Sequence, residues 1–331
     1  MKNKRTSLQD IADIVGVTKM TVSRYLRSPD KVSKKTALKL EQAIQKTGYI
    51  PNKVPTLLSN SKSLAIGVLV PSLTNQVFAD VIRGIEEVTE PAGYQVMLAH
   101  YGYSADIEEQ RITSLLSYQV DGLILSDFEH TERTLSMIQM AGIPTVEMME
   151  STQTPIHQAI GFENVQAGYL MTKRLIEKKY QNSIYLGARL DTRTQLKMQG
   201  YMKAMEEAKL TPNCILTDKP SSFSLGREML LDALQRYPQV DSFFCTNDDL
   251  ATGVVFECYK QNIKIPQQIA IAGFHGLDVG QSLVPKLASV ITPRQEIGRV
   301  AAQQILRRIN GNPIENQTFN LGVNVSDGES I

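Results

Sequence analysis

The first regular apolar pattern of the chain lies in residues 7–26. Four apolar residues recur there at steps of three and four, namely Leu8, Ile11, Ala12 and Val15. This spacing is typical of one face of an amphipathic helix. Ser7, with Asp10 three positions later, resembles a capping box, in which the hydroxyl accepts a backbone N–H of the first turn. The pattern therefore predicts a helix that begins immediately after Ser7.

A second short helix is predicted directly after the first. Gly16 permits the left-handed backbone conformation that ends a helix, and Thr18 is a suitable cap for a helix over residues 19–26. Val22 and Leu26 are expected to face inward. Three side chains are expected to point outward: Lys19, Met20 and Arg24. Two short helices joined by a turn that contains glycine outline a helix-turn-helix, although an ordinary helical hairpin on a protein surface has the same outline.

A third helix is predicted after a turn at residues 27–30. Ser33 is expected to cap it, and Gly48 is expected to end it after about residue 47. Its inner face is assigned to Val32, Leu38, Ala43 and Ile44. Three helices of this size form one small head.

Residues 49–62 have the composition of a linker, with two prolines and a tail rich in serine and asparagine. Asn52 can cap a helix of one or two turns in this segment, because Pro55 is tolerated near a first turn. Leu57 and Leu58 would be exposed on such a helix. They either pack against the next domain or insert between DNA base pairs from the minor groove, and the residues alone favour neither.

From residue 64 onward, short apolar runs alternate with amphipathic stretches. The predicted strands cover residues 64–70, 95–100, 122–125, 145–148, 183–186, 242–245, 270–272 and 289–291, with a last extended segment near 318–325. Strands that alternate with helices form right-handed βαβ units and parallel sheets. The alternation breaks near residues 151–159 and then resumes, which predicts an α/β core of two doubly wound parallel-sheet lobes. Ligands of such sheets bind beyond the carboxyl ends of the strands, so one site is expected in the cleft between the lobes.

Charge is unevenly distributed along the chain. The whole sequence carries 35 basic and 34 acidic side chains, but residues 1–60 carry twelve basic and four acidic ones, a net charge of +8. Such asymmetry indicates a polyanionic partner. Phosphate contacts supply most of the sequence-independent affinity of proteins for DNA. The distribution therefore favours a DNA-binding head over a basic surface without a partner.

Several other classes of protein lack support in the sequence. No apolar run approaches the roughly 20 residues that span a bilayer, and the amino terminus has no apolar core or cleavage site of an export signal. A cytoplasmic protein with no membrane partner is therefore expected, rather than a sugar-binding transport protein. Cys214, Cys245 and Cys258 lack the spacing of zinc ligands, so no metal site is expected. No nucleophile elbow, P-loop or zinc-protease motif is present, so no enzyme is expected and neither a catalytic residue nor a cofactor is assigned.

Five stretches of the sequence together resemble the LacI/GalR family of bacterial transcription repressors: SLQDIADIVGVTKMTVSRYL, GYIPNKVPTLLSN, AIGVLVPSLTNQVF, TNDDLATGVV and IAIAGF. They extend over essentially the whole chain, and as a set they are highly specific. The resemblance implies a helix-turn-helix head joined to two lobes like those of periplasmic sugar-binding proteins. It also implies a homodimer that binds a pseudo-palindromic operator and releases it when a small effector closes or shifts the lobes.

The resemblance implies domain boundaries and DNA contacts as well. The head is expected in residues 1–50, the hinge helix or linker in 51–62 and the effector-binding core in 63–331. Within the core, one lobe is expected to combine residues 63–161 with 293–322, and the other 162–292 with 323–331. DNA contacts are implied at Ser7, Thr18, Lys19, Met20, Ser23, Arg24, Asn52, Lys53 and Leu58. Lys19 can donate to guanine and Met20 suits a thymine methyl group, while Leu58 falls on the family's minor-groove wedge.

Effector contacts are implied at nine positions of the core: Ser72, Asn75, Phe78, Lys197, Phe223, Asn247, Asp248, His275 and Thr292. Two of them depart from the family pattern, because His275 stands where an aspartate usually binds sugar hydroxyls and Lys197 stands where an arginine is usual. Three more basic residues are close by in the sequence: Arg189, Arg193 and Arg294. Loss of a carboxylate and retention of cations favours an anionic ligand over a neutral sugar. Taken alone, His275 also fits a purely structural histidine.

The expected effector is therefore a sugar acid. The stretches TNQVF, LAHYGY, YLGARLD and AGFHG are similar to those of family members that respond to gluconate, and members that respond to idonate are near neighbours. D-gluconate or a close aldonate is predicted, in a repressor of genes for sugar-acid uptake and catabolism. Idonate, another sugar or a phosphorylated sugar stays open as an alternative.

Overall fold

The computed structural model describes residues 6–51, 62–151 and 154–331 of the chain. These residues form two compact units, one that ends at Ser63 and one that covers Leu64–Ile331. The first unit, called the head, is helical, and the second, called the core unit, contains both helices and strands. None of the helices in the described ranges has the length and apolar character needed to cross a bilayer.

Three α-helices form the head. They are α1 (Leu8–Val15), α2 (Lys19–Arg27) and α3 (Lys34–Thr47), with one 3₁₀ turn at Pro29–Lys31. The side chains of Ser7, Thr18 and Ser33 each accept a hydrogen bond from the backbone N–H three residues later. Asp10 completes the capping box, because its carboxylate accepts the backbone N–H of Ser7 at 2.7 Å. The predicted caps are confirmed, and they satisfy N–H groups that a helix start leaves unpaired.

One face of each helix contributes to the apolar centre of the head. Its buried residues are Ile11, Ala12, Val22, Leu40, Ala43 and Tyr49. The prediction that Leu38 faces inward is wrong, because its side chain is 59% exposed whereas Leu40 is fully buried. Leu40 and Ala43 are three positions apart and therefore lie on the same face of α3.

The core unit contains two lobes, each built on a six-stranded sheet. The strands of the first lobe are β1 (Ala65–Val70), β2 (Gln95–His100), β3 (Gly122–Leu125), β4 (Thr145–Met148), β5 (Gln158–Gly161) and β11 (Thr318–Asn320). They lie in the order β11-β5-β4-β3-β1-β2, and every neighbouring pair is parallel. The helices of this lobe are α4 (Val77–Thr89), α5 (Ala105–Ser117), α6 (Glu132–Ala141) and α12 (Arg294–Ile309).

The second lobe repeats this architecture. Its strands are β6 (Ser183–Ala188), β7 (Asn213–Thr217), β8 (Ser242–Cys245), β9 (Ala270–His275), β10 (Ala288–Ile291) and β12 (Asn324–Ser326). They lie in the order β12-β10-β9-β8-β6-β7, in which only the edge strand β12 is antiparallel to its neighbour. The helices are α7 (Asn164–Glu177), α8 (Thr192–Glu207), α9 (Phe223–Arg236), α10 (Asp248–Lys260) and the short α11 (Asp278–Gln281). The predicted fold class is confirmed.

Four strands differ from the prediction. β5 begins inside the stretch that was assigned to a break, and β7 was missed altogether. The extended segment near 318–325 divides into β11 in the first sheet and β12 in the second. β7, β11 and β12 are edge strands with partly exposed residues, so they lack the continuous apolar run that identified the central strands. The exact residues at which the predicted domains and lobes begin and end stay a prediction.

The chain passes between the two sheets three times. These crossings follow β5, β10 and β11. Each sheet therefore combines five strands that follow one another in the chain with one edge strand from the carboxyl-terminal segment, and both lobes depend on the same three connecting segments. In this arrangement, loops after the carboxyl ends of strands from both sheets contribute to one ligand site.

Candidate functional site

Loops and helix starts that follow strand ends in both lobes line one cavity, called here the cleft cavity. It encloses about 400 Å³ of space, part of which is open to solvent. The first lobe and the first crossing contribute Asn75, Val77, Phe78, Tyr103, Met149, Phe162 and Asn164. The second lobe contributes Arg189, Asp191, Arg193, Thr194, Lys197, Asn247 and His275. Because both lobes supply polar groups, a ligand in this cavity contacts both of them.

Three basic side chains and one carboxylate line the cleft cavity: Arg189, Arg193, Lys197 and Asp191. Arg193 is 9% exposed and donates to the carbonyl oxygen of Ser126 in the first lobe. Burial opposes its charge, but the carboxylates of Asp127 and Asp191 raise the pKa of Arg193. Burial likewise opposes the charge of Asp191, yet Arg193 and the N–H of Thr194 lower the pKa of this carboxyl. Both groups are therefore ionised at neutral pH, and the lining is cationic on balance.

Lys197 and His275 form a buried pair in the cavity wall. Nζ of Lys197 lies 3.5 Å from Nε2 of His275 and 3.3 Å from the carbonyl oxygen of Thr246. It also lies 4.0 Å from the centroid of the Phe274 ring. Burial lowers the pKa of Lys197 to about 7 and the pKa of His275 well below its usual value. The groups within hydrogen-bond distance of Lys197 are thus neutral, and a bound anion would supply the negative charge that they lack.

His275 is held in one orientation. Its Nδ1 lies 3.1 Å from Oγ1 of Thr292. The ammonium group of Lys197 has only donors, so Nε2 of the neutral ring accepts from it and the ring proton is on Nδ1, facing Thr292. The backbone of His275 has φ +100°, a conformation that residues other than glycine rarely adopt. The ring thus faces Lys197 as a neutral acceptor.

Asn164 brings an unused acceptor to the cavity. Its Nδ2 donates to the carbonyl oxygen of Met149 at 3.1 Å and to Oε2 of Glu150 at 2.6 Å. Within the described part of the chain, Oδ1 of Asn164 is buried and has no hydrogen-bond partner. An unpaired buried acceptor is costly, and a hydroxyl group of a ligand would satisfy it. Burial raises the pKa of the Glu150 carboxyl beside it.

Tyr103 and Asn75 form the first-lobe side of the cavity. The hydroxyl of Tyr103 accepts a hydrogen bond from Nη1 of Arg189 at 2.8 Å, and the guanidinium carbon lies 4.1 Å from the ring centroid. Oδ1 of Asn75 accepts the N–H of Val77 at 3.1 Å. Oγ of Ser72 accepts the N–H of Asn75 at 3.2 Å. The side chains of the loop after β1 therefore order the loop itself, and they hold Asn75 in the lining of the cavity.

Five of the nine predicted effector residues line the cleft cavity: Asn75, Phe78, Lys197, Asn247 and His275. Three of the others lie around it. Ser72 orders the loop that carries Asn75, and Thr292 supports the ring of His275. Phe223 is 44% exposed and lines a neighbouring cavity of about 550 Å³, which shares Asn75 with the cleft cavity.

Asp248 is fully buried and does not line the cleft cavity. Its carboxylate accepts the N–H of Leu277 at 2.5 Å and the hydroxyl of Ser289 at 2.7 Å. Burial raises the pKa of Asp248 to about 7. This side chain fixes the turn that follows His275. Asp248 therefore supports the wall of the site and does not line the cavity. The sequence alone does not distinguish this role from contact with a ligand.

Arg294 also lies outside the cleft cavity. It donates to the carboxylate of Asp80 on α4 at 3.0 Å and to the carbonyl oxygen of His275. A guanidinium engaged in this way joins the start of α12 to both lobes. It does not add to the cationic lining of the cavity.

Sequence reasoning missed seven lining residues, namely Val77, Tyr103, Met149, Phe162, Asn164, Asp191 and Thr194. All of them follow the carboxyl end of a strand by no more than seven residues. That position was the available signal, since ligands bind at this edge of open sheets. No group of three histidine, cysteine or acidic side chains in the described ranges is arranged to hold a metal ion.

Six of the nine predicted DNA contacts fall in the described part of the head, at the N-caps of α1 and α2 and on α2 itself. Thr18, Lys19, Met20 and Arg24 are exposed, and Met20 is 70% exposed. Ser23 is half-buried and its hydroxyl accepts from Arg27 at 3.0 Å. Ser7 caps α1. Three predicted contacts, Asn52, Lys53 and Leu58, fall outside the described residues.

Comparison with known proteins accounts for both units. Residues 7–52 match the family described as bacterial regulatory proteins of the lacI family. Residues 63–321 match the family described as periplasmic binding proteins and sugar binding domain of LacI family. The chain belongs to the LacI family. It is a DNA-binding transcriptional regulator of that family, with a core of the sugar-binding type, and the predicted family is confirmed.

Individual proteins match the chain over its full length. The HTH-type transcriptional regulator GntR of Escherichia coli K12 is 52% identical over 331 residues, which cover 100% of both chains. The HTH-type transcriptional regulator IdnR of the same strain is 45% identical over 332 residues, again 100% of both. The crystal structure of a LacI family transcriptional regulator from Silicibacter pomeroyi has a TM-score of 0.90 and 32% identity, and covers 98% of this chain and 99% of that one.

Proposed function

We propose that this LacI-family regulator is a repressor released from its operator by a sugar acid, D-gluconate or a close aldonate such as idonate. The observation that carries the proposal is the lining of the cleft cavity. Lys197 is buried there among neutral hydrogen-bond partners, with Arg189 and Arg193 in the same lining. A buried ammonium group whose hydrogen-bond partners are neutral favours a ligand that brings a carboxylate.

The polar groups of the lining fit the remainder of such a ligand. A sugar acid carries one carboxylate and a row of hydroxyl groups that both donate and accept. The unpaired Oδ1 of Asn164 and the carboxylate of Asp191 accept from hydroxyls, while Asn75 and Asn247 offer amides. A carboxylate at Lys197 and hydroxyls at the other groups would satisfy both ends of the molecule.

The residue at position 275 favours an acid over a neutral sugar. An aspartate there would place a second carboxylate beside the ligand's own, and like charges in a buried site repel strongly. The neutral ring of His275 accepts from Lys197 instead and adds no negative charge. Gluconate and idonate differ in configuration at one carbon that bears a hydroxyl group. We therefore expect the same lining to bind either acid.

Release of DNA follows from contact with both lobes. An effector shifts an equilibrium only if it binds one lobe arrangement better than another. In the cleft cavity a ligand touches groups from both sheets, so it favours the arrangement that brings them together. We place operator binding in a homodimer with a pseudo-palindromic site, because two identical heads read two half-sites.

On the DNA side, we assign base contacts to Lys19 and Met20 on the exposed face of α2. Thr18, Ser23, Arg24 and Ser7 are placed at or near the phosphates, and Leu58 at the minor groove with Asn52 and Lys53 beside it. The exposure of Lys19 and Met20 supports this assignment. The protein would act in the cytoplasm, where its operator lies.

We further propose that the effector is bound and not converted. The two neighbouring aspartates 248 and 249 suggest an acid–base pair, but both oxygens of Asp248 accept from protein groups away from the cavity. Incubation of the protein with gluconate and ATP should leave both unchanged by mass spectrometry. Any phosphorylated or oxidised product would contradict this.

The test of the proposal combines DNA binding and effector binding. An operator is first selected from a random duplex pool, and its gel shift is measured at fixed salt with and without gluconate. Gluconate or idonate should release the duplex, whereas glucose and ribose should not. Lys197→Met should keep operator binding and lose the response to gluconate. Calorimetry that shows tight binding of neutral hexoses and none of gluconate would overturn the proposal.

A further inference from the structure

One segment of the second lobe, residues 189–193, reaches the first lobe at three places. The contacts are Arg189 with Tyr103, Thr192 with Glu129, and Arg193 with the carbonyl oxygen of Ser126. In the first of them, both partners line the cleft cavity. This contact therefore lies at the proposed ligand site and joins two walls of the cavity that come from different lobes.

The contact between Arg189 and Tyr103 is made in two ways at once. The guanidinium lies over the ring, 4.1 Å from its centroid, and donates to the hydroxyl at 2.8 Å. A cation–π contact contributes modestly at an exposed site, and a hydrogen bond from a charged donor is stronger than one between neutral groups. Both interactions attract the two lobes to each other, and neither involves a covalent bond.

The backbone on both sides of the contact is strained. Tyr103 has φ +61° and Arg189 has φ +71°, and Leu190 next to it has φ +45°. Left-handed backbone is unfavourable for such residues and persists only where surrounding contacts compensate for it. Strained residues on opposite walls that meet each other indicate that the contact itself is what both loops are shaped to make.

We propose that Tyr103 and Arg189 form a latch that holds the cleft closed over the effector and sets its rate of release. The proposal rests on the proposed function of the same cavity. Within it, Lys197 recognises the carboxylate, whereas Tyr103 and Arg189 are positioning residues that act on how long the ligand stays. The partner of Arg189 is a neutral phenol, so the arginine closes the cleft without cancelling the cationic character of the lining.

The test measures association and release separately, with radiolabelled gluconate and filter binding after dilution. Tyr103→Leu and Arg189→Gln should each speed release by about tenfold or more, with association changed by about twofold or less. Tyr103→Phe, which keeps the ring and loses the hydroxyl, should fall between wild type and Tyr103→Leu. The matched control is Tyr118→Leu, at a tyrosine that is 64% exposed and remote from the cavity lining, and its release should equal that of wild type.

The double variant Tyr103→Leu with Arg189→Gln separates a latch from a direct ligand contact. Tyr103 and Arg189 make one contact, and either single substitution removes it. The double variant should therefore release gluconate about as fast as either single variant. Release that is faster by the product of the two single effects would show that Arg189 binds the effector independently. That result, or wild-type release rates in both single variants, would overturn the latch.

Tyr103→Trp provides a readout that needs no ligand. The chain has no tryptophan, so this variant carries a single one, and indole is the best aromatic partner for a guanidinium. Adding Arg189→Gln should shift its emission in the ligand-free protein. If wild type binds no sugar acid, the proposed function fails. The latch is tested separately: the same emission from Tyr103→Trp with and without Arg189→Gln would overturn it.

Discussion

Lys197 is a buried amine whose nearest hydrogen-bond partners are the neutral ring of His275 and a backbone carbonyl. In water an amine of this kind is fully protonated at neutral pH. Burial lowers its pKa to about 7 here, so its charge depends on what else enters the cavity. A ligand carboxylate stabilises the protonated form and raises the pKa again. If the effector is an acid, as we propose, its binding is coupled to the uptake of a proton.

We expect the affinity for gluconate to fall as pH rises above about 7. Below that pH Lys197 is already protonated in the free protein, and above it a proton has to be taken up before the acid binds. Titration calorimetry at several pH values, in buffers of different ionisation enthalpy, should show proton uptake on binding. Lys197→Met should bind weakly and without this dependence. Equal affinity on both sides of pH 7 would contradict the role given to Lys197.

Substitution at residue 275 tests the preference for an anion. His275→Asp adds a carboxylate beside the ligand's own, so we expect gluconate to bind at least about tenfold more weakly. His275→Asn is the matched control, because it keeps a neutral hydrogen-bonding group and should lose much less. Isothermal calorimetry of both variants gives the comparison. If the two substitutions weaken gluconate binding equally, charge at this position does not select the ligand.

At the scale of elements, α5 and β4 are joined through a buried histidine in the loop before α6. Nδ1 of His130 lies 2.9 Å from Oε2 of Glu108, and its Nε2 lies 3.3 Å from Oε1 of Glu147. Burial lowers the pKa of His130, but the two carboxylates outweigh it and raise the pKa to about 10. Oε2 of Glu147 also accepts the N–H of Ile156 at 2.8 Å. One charged group therefore holds three segments of the first lobe together.

Removing this histidine should strongly destabilise the protein. His130→Gln leaves two buried carboxylates without a cation, which typically costs about 3–5 kcal/mol. The folded pKa is raised, so the stabilisation is fully present below about pH 6.5 and is lost as pH rises through about 10. Urea unfolding from neutral to alkaline pH should show a steeper loss in wild type than in the variant. His100→Gln, at an exposed position, should match wild type throughout.

Two glycines set the distance between α4 and α12. A Cβ atom added to Gly84 would lie 2.0 Å from the carbonyl oxygen of Gln295, and one added to Gly298 would lie 2.0 Å from that of Val81. Such contacts cannot be relieved by a side-chain rotation, since both obstacles are backbone. The two helices are therefore packed as closely as their backbones permit.

Gly298→Ala should lower the free energy of unfolding despite the better helix propensity of alanine. The added methyl group forces α4 and α12 apart, which is expected to cost about 1–3 kcal/mol or more. Gln303→Ala, on the exposed face of the same helix, is the control and should be neutral. Denaturant midpoints of the two variants decide the matter. Equal midpoints would show that the helices shift at little cost.

At the scale of the whole molecule, the basic head and the nearly neutral chain predict strongly salt-dependent DNA binding. Residues 1–60 carry a net charge of +8, although the full sequence has a net charge of only +1. If a dimer neutralises about six phosphates, operator affinity should fall about a thousandfold between 50 and 200 mM salt. Gel shifts across that range, with Arg24→Gln beside wild type, measure the slope, which should be smaller in the variant because one phosphate contact is lost. A slope near zero would mean that phosphates contribute little.

Much of the fold followed from local patterns. Most of the central strands were predicted because strands buried on both faces read as apolar runs. The exception is β5, a short buried strand that begins with a polar glutamine and was not predicted. The helix starts of the head were predicted because their caps are local side-chain contacts. The edge strands β7, β11 and β12 were missed or merged, since partial exposure removes the apolar signal. Leu38 was placed inside the head because apolar spacing alone does not say which of two nearby leucines meets a neighbouring helix.

The sequence by itself determined that a basic helical head precedes an α/β core of two lobes, and that a carboxylate is lost while cations are kept near the expected ligand. Only the tertiary structure decided which of those residues share a cavity. It placed Lys197, Arg189 and Arg193 in one lining and engaged Asp248 and Arg294 elsewhere. It also brought in Tyr103 and Asn164, which lie far apart in the chain. Local patterns fix helices and strands because their contacts are between near neighbours, whereas a cleft between two sheets depends on where distant strands end.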